Sequence, residues 1–251
     1  MACFWEGWLL VTLPSLCFVI IVSRSKEVRT MKRIALIHTV KSVLDSFEPQ
    51  LRAAVGNDVK IHNILDDFLA SDPADTGVFS DVNHQRLVND IRNAELTGAD
   101  LIVVTCSTLT PAVTLIRPTA KVPLVAVDDE MCRLAVTYGN KVTVLATARS
   151  TVGPTVSKIK AEAQAAHVPI DIESHVCPEA IAALKQGDRA THDKLVLEMA
   201  RSVGKPDLIV LAQASMAHLE QQVAQTCRCA VLSSPRLCIE QTARVLQEGN
   251  R

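Results

Sequence analysis

The sequence predicts an α/β fold of two pseudo-symmetric α/β domains, each a mostly parallel sheet flanked by helices, with an active site in the cleft between them. Short runs rich in valine, isoleucine and leucine alternate with longer helical segments, as in buried parallel strands joined by crossover helices. A strand-and-loop unit, residues 100–109, recurs as residues 207–216. The same offset, from 100 to 207, carries residues 122–125 onto 229–232, so the repeat extends beyond one element.

The first half reads as four strands separated by helices. Apolar runs rich in β-branched residues indicate the strands. Two of the helices end just before a glycine, Gly98 or Gly139, as helices commonly do. The predicted strands are 34–37, 59–64, 101–104 and 124–127, and the predicted helices are 44–55, 83–96, a short one from Pro111, and 130–138.

The second half repeats this order. Strand and helix alternate throughout, which favours right-handed crossovers and parallel pairing. The predicted strands are 142–145, 170–174, 208–211 and 230–232, and the predicted helices are 155–166, 179–184, 192–203 and a closing helix, 235–247.

The domain boundaries follow from these elements. We expect a first domain over residues 31–138, a second over 139–234, and a C-terminal helix within 235–251 that packs on the first domain. Residues 1–30 form an N-terminal extension with an apolar stretch, 8–22, that is shorter than the roughly twenty residues needed to span a bilayer. A mis-assigned start before Met31 is the favoured interpretation, and a signal anchor is the alternative.

The composition excludes several function classes. The 26 basic and 27 acidic residues are scattered and aromatic residues make up 3%, so neither nucleic-acid binding nor a stacking surface is predicted. Neither a dinucleotide nor a nucleoside triphosphate loop motif is present.

The eight cysteines are irregularly spaced, as in a cytoplasmic protein with reduced thiols. Cys227 and Cys229 have no second ligand pair nearby, and no metal is expected. We also expect a homo-oligomer, specifically a dimer.

The two copies of the repeat differ at one decisive position. Cys106 follows the strand in the first copy, whereas Gln213 stands at the matching place in the second. A thiol can exchange protons, and thiolates are favoured at helix N-termini. An amide cannot act as a base, so Gln213 either donates a hydrogen bond to an anion or supports its loop. The alternative interpretation of Cys106 is a small buried apolar residue.

Three short motifs indicate a family. Residues 103–108, Val-Val-Thr-Cys-Ser-Thr, are like a C-N-T loop with Ser107 in place of asparagine. Residues 144–152 are like an A-T-x-x-T-V loop with one residue inserted, and Cys177-Pro178 is like a C-P element. From Lys32 to the C-terminus the chain resembles the aspartate/glutamate/hydantoin racemase superfamily.

The resemblance implies two α/β domains related by a pseudo-dyad, no cofactor, and a pair of cysteines acting as opposed acid and base on a small carboxylate substrate. Cys106 is then the predicted catalytic thiol. The family's second loop reads G-C-T-H, whereas residues 212–215 read Ala-Gln-Ala-Ser. The candidates for a group acting on the second face of the substrate are Gln213, Cys177 and His218.

Substrate contacts are expected from the loops that follow the strands. Removing a proton alpha to a carboxylate adds negative charge, which hydroxyls and backbone N–H groups can stabilise. The predicted substrate-binding residues are His38, Thr39, Ser107, Thr108, Thr147, Arg149, Thr151 and Ser215. For three candidates a structural role has comparable or greater weight: a loop histidine satisfied by backbone for His38, packing or entrance lining for Cys177, and a solvent-facing side chain for Arg149.

Three functions remain open from the sequence. The first is a cofactor-independent racemase or isomerase acting on a small amino acid or related acid. The second is a decarboxylase-like lyase, because a single thiol suffices to protonate a carbanion. The third is a non-catalytic relative that binds small acids.

Overall fold

Two four-stranded sheets, each entirely parallel and each with the strand order 2-1-3-4, organise the protein. The computed structural model describes residues 31–248. The predicted extension, including residues 8–22, lies outside the described residues. Among residues 31–248, no helix is long and apolar enough to cross a membrane.

The first sheet has the order β2-β1-β3-β4. Its elements, in chain order, are β1 (Lys32–His38), α1 (Lys41–Val55), β2 (Val59–Leu65), α2 (Phe68–Thr76), α3 (Asp81–Leu96), β3 (Leu101–Val104), α4 (Thr110–Ile116) and β4 (Leu124–Ala126). A 3₁₀ turn, Ser107–Leu109, separates β3 from α4, and a second, Arg117–Thr119, follows α4.

The second sheet has the order β6-β5-β7-β8. Its elements are α5 (Asp129–Ala135), which connects the two sheets, β5 (Lys141–Ala146), α6 (Arg149–Ala166), β6 (Asp171–Val176), α7 (Pro178–Lys185), α8 (Arg189–Ser202), β7 (Leu208–Leu211), α9 (Glu220–Cys227), β8 (Ala230–Ser233) and α10 (Ser234–Glu248). A 3₁₀ helix, Ala214–Leu219, lies between β7 and α9.

The repeat is preserved down to single hydrogen bonds. Asp100, just before β3, accepts a hydrogen bond from the backbone N of Arg33 at 2.8 Å. Asp207, at the matching position before β7, accepts one from the backbone N of Lys141 at 2.9 Å. Both aspartates also donate their own backbone N–H to the carbonyl of that same partner residue. The repeated aspartate therefore fixes where the first and third strands of each sheet start to pair.

The core forms four layers, one on each face of each sheet. In the first sheet, α3 and α4 cover one face, while α1 and α10 cover the other with Leu51 and Cys238 among the buried contacts. In the second sheet, α5 and α6 cover one face, and α7, α8 and α9 cover the other. The C-terminal helix α10 thus packs on the first sheet, beside α1. The division of the chain into domains at residues 138 and 234 stays a prediction.

The predicted α/β class and all eight strands are found in the structure, while three features differ from the sequence analysis. The helices α2 and α9 were not predicted, because both are short and each buries only one or two side chains: Leu69 and Pro73 in α2, and Val223 in α9. Helix α6 begins at Arg149 rather than at 155, so Pro154 lies inside it. A proline removes one backbone donor, and α6 nevertheless continues through Pro154 to Ala166.

Asp129 joins the two halves of the fold at the start of α5. Its Oδ2 accepts hydrogen bonds from the backbone N of Ala126 at 2.8 Å and from Arg117 at 2.5 Å. Its Oδ1 lies 3.0 Å from Nζ of Lys158, in α6. Burial alone would lower the pKa of Lys158, but Asp129 and Glu162 outweigh it and raise the pKa, so the lysine stays charged.

We expect Asp129→Ala to lower the free energy of unfolding by about 3–5 kcal/mol, because it leaves Lys158 partly buried beside fewer counter-charges. The measurement is urea denaturation followed by circular dichroism. Lys41→Ala is the matched control, since its ion pair with Asp45 is solvent-exposed and should contribute no more than about 1 kcal/mol. Equal losses in the two variants would contradict the inter-sheet role of Asp129.

Candidate active site

The carboxyl ends of the third strands carry the two residues that the repeat sets against each other. Cys106 follows β3 in an extended conformation, φ −127° and ψ 119°. Gln213 follows β7 in nearly the same conformation, φ −143° and ψ 139°. Each is the last residue before a 3₁₀ segment. The two loops therefore have the same backbone path and differ in the chemistry of one side chain.

Cys106 is a free, half-buried thiol at the surface of the first-sheet core. The 3₁₀ turn that follows it, Ser107–Leu109, packs against α6 of the second half. The short helix predicted from Pro111 is α4, which begins at Thr110, so this single turn separates Cys106 from the helix. The long helix that begins at the same edge of this sheet is α1.

Several polar groups around this first loop have no partner within the protein. The hydroxyls of Thr39, Ser107 and Thr108 make no hydrogen bond to any residue in 31–248. The backbone N–H groups of Thr39 and Val40, at the start of α1, likewise donate to none of these residues. Because unpaired polar groups are costly when removed from water, such a set is suited to a bound anion.

Gln213 satisfies the donors of the neighbouring loop, which follows β5. Its Oε1 accepts hydrogen bonds from the backbone N of Thr147 at 2.6 Å, the backbone N of Ala148 at 2.9 Å and the hydroxyl of Thr147 at 3.1 Å. Two backbone N–H groups converge on this one atom, which fixes it as the amide oxygen. Strand register matches Thr147 and Ala148 with Thr39 and Val40 of the first half. The N–H groups that are open in the first half are thus filled in the second.

The other predicted substrate-binding residues of the second half differ in burial and in hydrogen bonding. Thr147 is fully buried, and the hydroxyl of Thr151 donates to the carbonyl of Ala148 at 2.9 Å. Arg149 is exposed at the first turn of α6. The buried Oγ of Ser215 has no hydrogen-bond partner among the described residues. Of this group, Arg149 is accessible to a ligand, whereas the unpartnered Oγ of Ser215 is enclosed by the protein.

His38 lies inside the protein at the end of β1, with none of its surface exposed. Its Nε2 is 3.1 Å from Oδ1 of Asn63, whose Nδ2 donates to Glu48 at 2.6 Å. Burial lowers the pKa of His38, with smaller opposing effects of Asn63 and Glu48, so the ring is neutral near pH 7. Nε2 then carries the proton, and Nδ1 accepts from the hydroxyl of Thr105 at 2.8 Å. Both ring nitrogens therefore have hydrogen-bond partners. One of these partners, Thr105, directly precedes Cys106.

Cys177 follows the edge strand β6 as a half-buried thiol, 3.6 Å from Oε2 of Glu179. Burial raises the pKa of this thiol, and the neighbouring carboxylate adds to the effect. The neutral thiol is therefore its form near pH 7. Its apolar contacts lie on the face of the second sheet that α7, α8 and α9 cover.

His218 is exposed and pairs with Asp193, which the sequence analysis did not single out. Nε2 of His218 lies 2.9 Å from Oδ1 of Asp193, and the same oxygen lies 2.7 Å from Nδ1 of His192. Burial alone would raise the pKa of Asp193, but these hydrogen bonds outweigh it and hold the pKa below its ordinary value. No sequence spacing points to this cluster, because His218 and Asp193 are 25 residues apart.

Asp128 stands at the N-cap position of α5, where an acidic side chain can accept hydrogen bonds from the first turn of a helix. It makes no side-chain hydrogen bond to the backbone of α5. Instead it is fully buried at the end of β4, and its Oδ1 accepts from the hydroxyl of Thr110 at 2.5 Å. Oδ2 has no partner among the described residues. Burial, with help from Asp129 and against the effect of Thr110, raises the pKa of Asp128 to about 6.

Comparison with known families gives one match over most of the chain. Residues 34–242 match the family described as Asp/Glu/Hydantoin racemase. No curated protein matches the sequence significantly.

Solved structures share the fold at low sequence identity. A glutamate racemase from Bacillus anthracis superimposes with a TM-score of 0.67 at 17% identity, covering 87% of this chain and 83% of that one. An allantoin racemase from Klebsiella pneumoniae gives 0.62 at 18% identity, covering 87% and 89%. An unliganded arylmalonate decarboxylase gives 0.50 at 16% identity, covering 86% and 93%.

We expect Gln213→Ala to lower the free energy of unfolding by about 1–3 kcal/mol, because it leaves the N–H groups of Thr147 and Ala148 without an acceptor. Gln213→Glu keeps an acceptor, places a negative charge at the N-terminus of α6, and should retain most of the stability. Thermal and urea unfolding of the three proteins provide the measurement. If the alanine and glutamate variants are equally unstable, the acceptor role of Gln213 is wrong.

Asp128 should make the protein less stable as the pH rises. Its folded pKa of about 6 lies above the ordinary 3.8, so between these values the folded state binds more protons than the unfolded state. The free energy of unfolding therefore falls as pH rises from about 4 to 6. The stability advantage of Asp128→Asn over wild type should grow by on the order of 3 kcal/mol from pH 4 to pH 7. Urea unfolding at several pH values tests this, with the exposed Asp75→Asn as control; parallel pH profiles for wild type and Asp128→Asn would refute it.

Proposed function

Because the match over residues 34–242 shows that this chain belongs to the Asp/Glu/hydantoin racemase family, we propose that it is a cofactor-independent enzyme acting on a small amino acid or related acid. In this proposal Cys106 is the thiol that removes or returns the proton alpha to the substrate carboxylate. Proton transfer takes place on one face of the substrate only, because the second loop has no proton-transferring group at position 213.

The observation that carries the proposal is the asymmetry between the strand-end loops of the two halves of the fold. In the first, the hydroxyls of Thr39, Ser107 and Thr108 and the N–H groups of Thr39 and Val40 have no partner within residues 31–248. In the second, the matching N–H groups are occupied by Gln213. An unoccupied set of donors beside a thiol suits a carboxylate whose charge grows as its alpha proton leaves. We therefore assign the substrate carboxylate to the first loop.

The proton transfer balances with one thiol. As a thiolate, Cys106 takes the alpha proton, and the electron pair of that C–H bond passes into the carboxylate to form an enediolate. Return of a proton from the same thiol restores the original configuration and exchanges the proton with solvent. Inversion requires a donor on the opposite face, and an amide does not exchange its protons readily near pH 7. His218 and Cys177 are the remaining candidates for that second donor.

A lyase is the second candidate function, and Gln213 is the observation that favours it. Loss of carbon dioxide from a malonate-type acid forms the same enediolate without a base, so one proton donor completes the reaction. One of the structures that share this fold is an arylmalonate decarboxylase. In this version Cys106 acts only as the donor, and the product has a single configuration.

His38 is assigned a positioning role rather than a substrate contact. Its ring is enclosed and links Thr105, which precedes the thiol, to Asn63 and Glu48. This chain of hydrogen bonds fixes the end of β3, from which the loop with Cys106 starts.

We expect Cys106→Ser to reduce turnover by about 10²–10⁴-fold or more, because a hydroxyl is a much weaker acid–base group than a thiol. Each enantiomer of aspartate and glutamate is incubated in deuterated water, and label and optical rotation are followed separately. Carbon dioxide release from substituted malonates is measured in parallel. Cys227→Ser is the matched control. This half-buried thiol donates to the carbonyl of Ala200, on the face of the second sheet that α7, α8 and α9 cover.

The two reactions and the one-sided mechanism give different results in this experiment. Label without inversion supports the racemase-type enzyme with one active thiol, and carbon dioxide release supports the lyase. Unchanged turnover in Cys106→Ser would refute the role of the thiol. Rapid inversion that survives Cys177→Ala and His218→Ala would show that a second donor exists and that the interpretation of Gln213 is wrong.

A further inference from the structure

Three potential metal ligands meet where the first turn of α8 packs against the 3₁₀ helix that follows β7. His192 and Asp193 come from α8, and His218 comes from the 3₁₀ helix. One ligand atom from each of the three side chains lies within 4.8 Å of the other two. Within residues 31–248, this is the only group of three or more such side chains so arranged.

The donor set selects a class of ion. Two imidazole nitrogens and one carboxylate oxygen suit zinc and its transition-metal neighbours, whereas calcium and magnesium prefer sites made of oxygen. Zinc bonds of about 2.0–2.2 Å in a tetrahedron place ligand atoms roughly 3.3 Å apart. The separations of 2.7 and 2.9 Å around Oδ1 of Asp193 are only slightly shorter. A small movement of this carboxylate would open space for an ion.

Burial makes one side of the cluster rigid and leaves the other accessible. The side chain of His192 is completely buried, and its ring stacks at 6.3 Å from the ring of His218. The side chains of Asp193 and His218 are 25% and 37% exposed. An ion can therefore enter from solvent beside His218 while His192 provides a fixed ligand.

We propose that His192, Asp193 and His218 bind one divalent ion of the zinc class, with water as the fourth ligand. The bound ion links the start of α8 to the segment after β7, which begins next to Gln213. Its effect is to stabilise the fold, since an ion that binds only the folded state raises the free energy of unfolding. The proposal does not depend on the function proposed for Cys106.

The test uses the full chain, freed of metal by a chelator and titrated with Co²⁺ and then Zn²⁺. We expect one Co²⁺ per chain with the visible bands of a tetrahedral site, displacement by Zn²⁺, and a higher melting temperature with either ion. Asp193→Asn preserves the shape of the side chain and His218→Ala removes an exposed ligand; each should weaken binding by at least about tenfold. His167→Asn, an exposed histidine at the left-handed end of α6, is the matched control and should bind as wild type does.

Cysteines are the competing ligands, and the cobalt spectrum separates them. Thiolate ligands add intense near-ultraviolet absorption, which an imidazole and carboxylate site lacks. The proposal is overturned if Co²⁺ fails to bind at micromolar concentrations, or if Asp193→Asn and His218→Ala bind it as tightly as wild type. It is also overturned if the thiolate absorption accounts for all bound cobalt and disappears in Cys227→Ser or Cys229→Ser. If His218→Ala does not fold, Asp193→Asn decides the outcome.

Discussion

Parallel pairing of every strand is the constraint on which this structure depends. Parallel neighbours need a crossover, so each strand is followed by a loop and a helix that returns across the sheet. All loops that leave the strands then meet at one edge. In each sheet the strand that follows the repeated aspartate is paired on both sides, with almost no exposed surface, and its last residue is held by its neighbours. Cys106 and Gln213 inherit their positions from this arrangement.

The two halves use the same backbone for different purposes. In the first, the polar groups near the third strand are left open, and a buried chain of hydrogen bonds through His38 supports them from behind. In the second, the side chain at the matching position accepts hydrogen bonds from Thr147 and Ala148, in the neighbouring loop that follows β5. Asp129 and Lys158 keep the halves in contact through a largely buried ion pair. In the proposed function the first half therefore binds the substrate carboxylate, whereas the matching donors of the second half are already satisfied within the protein.

The sequence was sufficient for the fold and for the position of the thiol, because both follow from periodic signals along the chain. Alternating apolar runs gave the eight strands, and the repeat pointed to residues 106 and 213. The sequence was insufficient where packing decides the outcome. Helices α2 and α9 bury too few side chains to show a period, and the burial of His38 depends on Asn63 and Glu48 from other elements. Asp193 joins His218 only because α8 and the segment after β7 are neighbours in space.

The hydrogen bonds of Gln213 also bear on how easily this protein could change its chemistry over evolutionary time. A cysteine at position 213 is too short to reach the N–H groups that the glutamine now holds, and its sulfur is a weak acceptor. Introducing a thiol at position 213 would therefore cause a folding defect before it produced any catalytic benefit. The loop of residues 146–149 would have to find another hydrogen-bond acceptor or adopt another path first. A chain with Gln213 consequently needs a compensating change in this loop as well as the substitution itself before it can carry a thiol at this position.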